Sequence, residues 1–230
     1  MFLSKLVLNL RNGPARRDLA RPYELHRTLL ACGFGARSKT EIGRLLYRVD
    51  SDRPERPLVL VQSICAPEWN LPAGYALAPV ETKPFVLDVA AGQLLRFRLR
   101  ANPTKRVSEK NAHLGPVMAG KRVGLATEGE RVKWLLRKAE VAGFLIPGES
   151  LECSEAGTGA VAPVPNFRVH VIPEGRARND KTGFQEGTFA AVRYEGVLKV
   201  VDPKRLVEAV RAGIGSAKGF GFGLLSLAPL

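Results

Sequence analysis

Residues 94–100 read Leu-Leu-Arg-Phe-Arg-Leu-Arg. Leu95, Phe97 and Leu99 share one side of an extended chain, and Arg96, Arg98 and Arg100 share the other. Side chains alternate sides only in a strand, so this segment demands a sheet with one face on an apolar core. The other face is expected to present a row of guanidinium groups.

The neighbouring segments extend that sheet into a repeated order. After residues 94–100 come a basic polar loop at 104–122 and a helix at 128–144, whose apolar stripe is Val132, Leu135, Leu136 and Ala139. A loop at 148–165 precedes a strand at 166–172 and a charged connector at 174–186. Residues 189–201 read as a hairpin turning at Glu195-Gly196, and Asp202-Pro203 opens a helix that ends near Ala212. A last strand covers 224–227. The first half repeats the order more loosely. It has a strand at 2–9, an arginine-rich loop, a helix at 22–32 entered at Pro22 and left at Gly33 and Gly35, and strands at 44–50 and 58–63. A looser stretch follows, closing near 84–92. Strand, helix, strand, strand, helix, strand is the ferredoxin-like order. The expected fold is therefore α+β, with tandem ferredoxin-like domains at 1–90 and 91–230.

Lys and Arg outnumber Asp and Glu by 35 to 22, a formal charge of +13, which points to a polyanion partner. No apolar run is long enough to cross a bilayer, and residues 1–10 read as a strand rather than a signal peptide. Cys32, Cys65 and Cys153 are scattered, with no spacing for a zinc site or a disulfide framework. The expected compartment is reducing, hence cytoplasmic, and no metal or cofactor is expected.

Residues 213–223 carry five glycines around Lys218. They lack the Gly-Lys-Ser/Thr of a phosphate-binding loop and follow a helix instead of preceding one, which excludes the nucleotide fingerprints. The reading favoured is that Gly215, Gly219 and Gly221 let backbone amides approach a phosphate, with Lys218 adding charge. The alternative is a tight helix-to-strand connection.

The residues that carry chemistry sit in Arg16-Arg17-Asp18-Leu19-Ala20-Arg21-Pro22-Tyr23-Glu24-Leu25-His26-Arg27. Tyr23 and His26, three apart on a helix, share a face. A histidine beside a phenol among cations suits proton transfer at a phosphodiester. His26 either protonates the leaving oxygen or takes the 2′-hydroxyl proton, with Tyr23 as its partner. Arg27 and Lys218 are candidates to stabilise charge on phosphorus. His113 and His170 read as ordinary polar residues.

These pieces together resemble one family, the CRISPR-associated RNA-processing endoribonucleases of type I-E Cascade complexes, members of the RAMP superfamily. The resemblance runs from residues 2–9 through Arg17-Asp18-Leu19 and residues 22–27. It continues through Arg96 to Pro103 and ends with Gly221 to Leu227. It implies tandem ferredoxin-like (RAMP-type) domains and metal-independent cleavage at the 3′ base of a CRISPR repeat stem-loop, leaving a 5′-hydroxyl and a 2′,3′-cyclic phosphate. It also implies a protein that is monomeric when isolated and stays on the guide RNA with other Cascade subunits. Tyr23 and His26 take the catalytic positions. The RNA-binding set is expected to include Arg16, Arg17, Arg21, Arg27, Arg37, Lys39, Arg96, Arg98, Arg100, Lys105 and Arg106. A basic hairpin with Arg176, Arg178 and Lys181, and the loop residues Gly215, Lys218, Gly219 and Gly221, complete it. The competing reading is a non-catalytic RNA-binding subunit of the same kind of complex, which would need the arginines but not the Tyr23–His26 pair.

Overall fold

The alternating segment forms β5 (Leu94–Ala101) in a computed structural model that describes residues 1–50, 52–106, 122–149, 166–167, 169–179 and 187–230. Leu95, Phe97, Leu99 and Ala101 are buried beneath α4 (Glu128–Val141) and α5 (Pro203–Ala212), in a core completed by Trp134, Leu135, Tyr194, Leu206 and Val210. β5 pairs with β12 (Gly187–Val200) on one side and β13 (Leu225–Pro229) on the other, and β11 (Val169–Asn179) lies outside β12. In order of appearance along the chain the four strands stand 2-3-1-4 across the sheet, all antiparallel, as a ferredoxin-like unit requires. The short β8 (Phe144–Leu145) adds to the end of β12, while β9 (Gly148–Glu149) and β10 (Asn166–Phe167) pair with each other. α4 starts in a capping box. The Thr127 hydroxyl accepts from the Glu130 amide, and the Glu130 carboxylate accepts from the Thr127 amide. Asp202 caps α5 in the same position, with Pro203 following.

The first half builds a second sheet of the same order. β2 (Leu46–Asp50), β3 (Leu58–Ser63), β1 (Phe2–Val7) and β4 (Glu81–Pro84) stand side by side. Leu6, Leu8, Val59, Val61 and Tyr47 pack under α2 (Pro22–Phe34). Residues 64–80 replace the second helix of the repeat, with Trp69 and Tyr75 filling space in the core.

Three expectations about the elements are corrected. The arginine-rich stretch is a helix, α1 (Gly13–Ala20), because Asn12 accepts from the Ala15 amide and Pro14 pre-sets the first turn. Residues 189–201 do not turn at Glu195-Gly196. β12 runs straight through, since Gly196 pairs with Val169 on one side and Phe97 on the other. The charged connector is instead partly strand, as β11 continues to Asn179. The hairpin is thus β11–β12.

The two sheets meet at a polar seam. Gln62 donates to the Val210 carbonyl (2.7 Å), taking up one of the orphan carbonyls at the end of α5. Arg48, buried, forks onto Asp50 (2.7 and 3.0 Å) and donates to Ser226 Oγ (2.8 Å). The expected open row of guanidinium groups is closed here. Arg98 binds Asp52 (2.8 Å), Glu195 (2.7 Å) and Asp50 (3.4 Å), and Arg100 binds Glu174 (2.5 Å). Arg193 bridges Asp52 (2.8 Å) and Glu174 (3.4 Å). Only Arg96 of the row stays exposed. The acids that answer the row come from elsewhere in the chain, and alternation carries no information about them.

Candidate functional site

α2 starts at Pro22, whose carbonyl accepts from the Tyr47 hydroxyl, so the helix entry is held against β2. Tyr23 and His26 then project from the first turn and a half toward the glycine-rich loop. A Cβ placed on Gly219 would lie 3.5 Å from His26 Cδ2 and 3.7 Å from Nε2. The Tyr23 ring leans on Phe220, 5.8 Å between centroids, and Phe220 leans on Phe189 at 4.7 Å. Behind His26 the Tyr47 ring lies nearly parallel, 6.0 Å away. Residues about 190 positions apart thus form the two walls of one cleft.

Burial holds His26 below the ordinary histidine pKa, and the nearby Arg44 cation lowers it further. The free protein therefore carries a neutral imidazole near pH 7. His26 Nδ1 is buried with no hydrogen-bond partner among the described residues, while Gly219, which has no Cβ, faces the Nε2 side. Lys218 opens the 3-10 turn Lys218–Phe220. Its ammonium is disfavoured first by burial, then by Arg44 and Lys138.

The loop glycines divide by role. Gly221 (φ +80°) would press a Cβ to 3.1 Å from Tyr47, and Gly215 (φ +87°) would press one to 3.1 Å from Trp134. Backbone conformation and close packing require glycine at both, so the connection reading applies to them. Gly219 has no positive φ and meets only His26, at ordinary contact distance. It is the loop glycine that faces the imidazole, where any side chain would rest against the ring.

The other expected site residues scatter. Arg27 pairs with Glu24 (3.2 Å) beside His26. Arg16 donates to the Leu10 carbonyl (2.8 Å), Arg17 pairs with Asp18 (3.1 Å), and Arg21 is exposed between α1 and α2. Arg37 lies past the C-terminal end of α2, bound to Glu68 and the Ala66 carbonyl. At about 1.5 Å per residue this is roughly 10 Å or more along the helix from His26, so Arg37 does not join the cleft. Lys105 pairs with Glu130 (2.7 Å), while Arg106 and Arg176 are exposed on β6 (Thr104–Arg106) and β11. Lys39 begins the short α3 (Lys39–Ile42) and Arg178 lies in β11, but both side chains fall outside the described residues. Lys181, His113 and Cys153 fall outside them altogether. Sequence reasoning missed Arg44, Tyr47, Phe189 and Phe220. Their role comes from position around His26, and no local motif marks them.

Among the described residues no helix is long and apolar enough to cross a membrane, and no three metal-ligating side chains cluster.

The comparisons agree with this architecture. Residues 1–229 match the family model described as "CRISPR associated protein". The CRISPR-associated endoribonuclease Cse3 of Thermus thermophilus is 42% identical over 235 residues, covering all of both chains. The CRISPR system Cascade subunit CasE of Escherichia coli is 34% identical, again over the whole of both. The structure of Thermus thermophilus Cse3 bound to an RNA representing a pre-cleavage complex superposes with a TM-score of 0.79 at 39% identity, over 99% of this chain and 98% of that one. A sheet pair of this order, with match and identity along its whole length, leaves one assignment: the chain belongs to the CRISPR-associated protein family that includes the endoribonuclease Cse3 and the Cascade subunit CasE.

Proposed function

We propose that this chain is a CRISPR repeat endoribonuclease that cuts precursor RNA at the 3′ base of the repeat stem-loop, without metal, and remains on the guide as a Cascade subunit. It acts in the cytoplasm and is monomeric when isolated. Its two units, residues 1–90 and 91–230, contribute opposite walls of the active cleft. One observation carries the reading: half-buried His26 and Tyr23 on one face of α2 lie against Gly219 and Phe220 from the far end of the chain.

The chemistry follows from those groups. The 2′-hydroxyl oxygen attacks the adjacent phosphorus, and the bond from phosphorus to the 5′-oxygen breaks. The products are a 2′,3′-cyclic phosphate and a 5′-hydroxyl. Neutral His26 accepts the 2′-hydroxyl proton through Nε2, and the Tyr23 hydroxyl gives a proton to the departing 5′-oxygen. Lys218 and Arg44 stabilise the charge that builds on the phosphoryl oxygens. Gly219 leaves the room in front of the imidazole that the ribose and phosphate need. Arg98 and Arg193, both paired with Asp52 across the seam, hold the two walls at a fixed spacing.

The test uses an end-labelled repeat hairpin in EDTA. Wild-type protein is expected to cut it once, and His26→Ala to bind it but lose cleavage by at least about 100-fold. Normal cleavage by His26→Ala overturns the assignment of His26. Loss of wild-type cleavage in EDTA overturns the metal-independent mechanism.

A further inference from the structure

A second groove, about 730 Å³, opens one residue from the His26 contact, between α4 and α5. Its cations come from four separate places in the fold: Arg122 on β7 (Arg122–Gly124), Lys138 on α4, Arg205 on α5, and Lys218 on the glycine-rich loop. Among the described residues Glu208 is the one acid lining it. Trp134 forms the floor, but it is 4% exposed and already stacked on Tyr194 (5.9 Å), so it offers no free face to a base.

The treatment of charge here differs from the seam. At the seam Arg98, Arg100 and Arg193 each meet at least one carboxylate. In the groove Arg205 shares Asp202 (3.4 Å), but Arg122, Lys138 and Lys218 have no ion pair among the described residues. Lys138 and Lys218 are also half-buried, and the Lys218 ammonium is disfavoured by burial and by the cations around it, Lys138 among them. Like charges gathered in partly desolvated positions are unfavourable until an anion arrives. A fold that answers its buried arginines elsewhere leaves these unanswered.

We propose that the groove between α4 and α5 is a second RNA subsite, which grips a sugar-phosphate backbone continuous with the strand being cut. It rests on the reading of the chain as an RNA-cleaving enzyme and adds where the RNA runs after it leaves His26. Recognition is of phosphate charge, not of bases, because cations line the groove and its aromatic floor is covered. The backbone has two possible sources, the paired stem or the single strand flanking it.

The test compares wild type with Arg122→Gln/Lys138→Gln, and with the control Lys133→Gln/Arg137→Gln, exposed residues of α4 outside the groove. Binding of the repeat hairpin is measured across a salt series. Each lost phosphate contact lowers the slope of log K against log salt by about 0.7–0.9, so the groove variant is expected to lose about 1.5 from the slope. Its Kd is expected to rise about tenfold or more at about 0.1 M salt. The single-turnover rate at saturating RNA stays within about twofold of wild type, because these side chains do not touch the reacting atoms. A hairpin trimmed to its stem separates the sources. A defect that persists on it assigns the stem backbone, and a defect seen only with the flank assigns the flanking strand. A slope and Kd equal to wild type, or a defect no larger than the control's, overturns the subsite. Wild-type cleavage run in parallel separates this failure from failure of the enzymatic reading, which an uncut RNA would reveal. The single variant Lys138→Gln removes a crowded charge without touching the core, and keeps the test available if the double variant does not fold.

Discussion

His26 is the residue whose environment most departs from what its neighbours in sequence suggest. The chain around it is basic, yet burial comes first among the causes that hold its pKa down, and Arg44, eighteen positions away, comes second. The imidazole of the free protein is therefore expected to titrate below about 6.5, followed by NMR of its ring protons. A midpoint at or above that value would contradict the desolvated geometry. The unfolded chain binds this proton more readily than the folded one. The stability tied to neutral His26 is therefore complete above about pH 6.5 and is lost as pH falls through the lower folded value. Substituting His26→Gln should flatten that part of a stability–pH curve. The loop glycines give a second contrast at this scale. Gly221→Ala forces a side chain into a left-handed conformation against Tyr47 and should cost about 1–2 kcal/mol in urea unfolding. Gly219→Leu should leave the unfolding midpoint nearly unchanged and abolish cleavage by filling the space before His26. A Gly219→Leu protein that still cuts RNA would show that the substrate does not enter there.

At the scale of elements, α1 and α2 are joined through one buried carboxylate. Asp18 is 1% exposed and accepts from Thr28 on α2 (2.6 Å), the Tyr75 hydroxyl (3.0 Å) and Arg17 (3.1 Å). Beside it, the Tyr75 phenol is pushed far above its ordinary range by burial, then by the Asp18 charge. Asp18→Ala strands the buried Tyr75 hydroxyl and the half-buried Thr28 hydroxyl and should cost about 3 kcal/mol, read from urea unfolding. A loss under about 1 kcal/mol would mean that water replaces the carboxylate. The contact aims α2, and with it the Tyr23–His26 face. This helix pair was only half legible in the sequence. Pro22 and the glycines at 33 and 35 marked α2, but the arginines of α1 masked a short helix whose start depends on one asparagine cap. The path of β12 is hidden in the sequence for a related reason. Glu195-Gly196 has turn chemistry, and only pairing on both flanks overrides it.

For the whole molecule, the polar seam decides how the two sheets stand. Arg48→Ala strips the fork from half-buried Asp50, leaving it Arg98 at 3.4 Å, and should cost about 2 kcal/mol in urea unfolding. It should also slow RNA cleavage by loosening the walls of the cleft. Destabilisation with an unchanged cleavage rate would confine Arg48 to stability and separate the seam from catalysis. The features legible from neighbouring letters alone are periodic and local. The alternation at 94–100, the apolar stripe of α4, the Asp202-Pro203 start of α5 and the strand–helix order specified two sheets of ferredoxin-like type. The three-residue spacing of Tyr23 and His26 likewise guaranteed a shared helix face. The tertiary structure alone decided which charges are neutralised. Arg98 and Arg100 looked identical to Arg96 in a strand pattern, yet they meet acids from positions 50, 52, 174 and 195. It also placed Gly219 in front of His26 and left Lys138 and Lys218 without a carboxylate among the described residues. Backbone periodicity acts over a few residues and is written in neighbouring letters, whereas charge pairing and desolvation depend on groups brought close from distant parts of the chain.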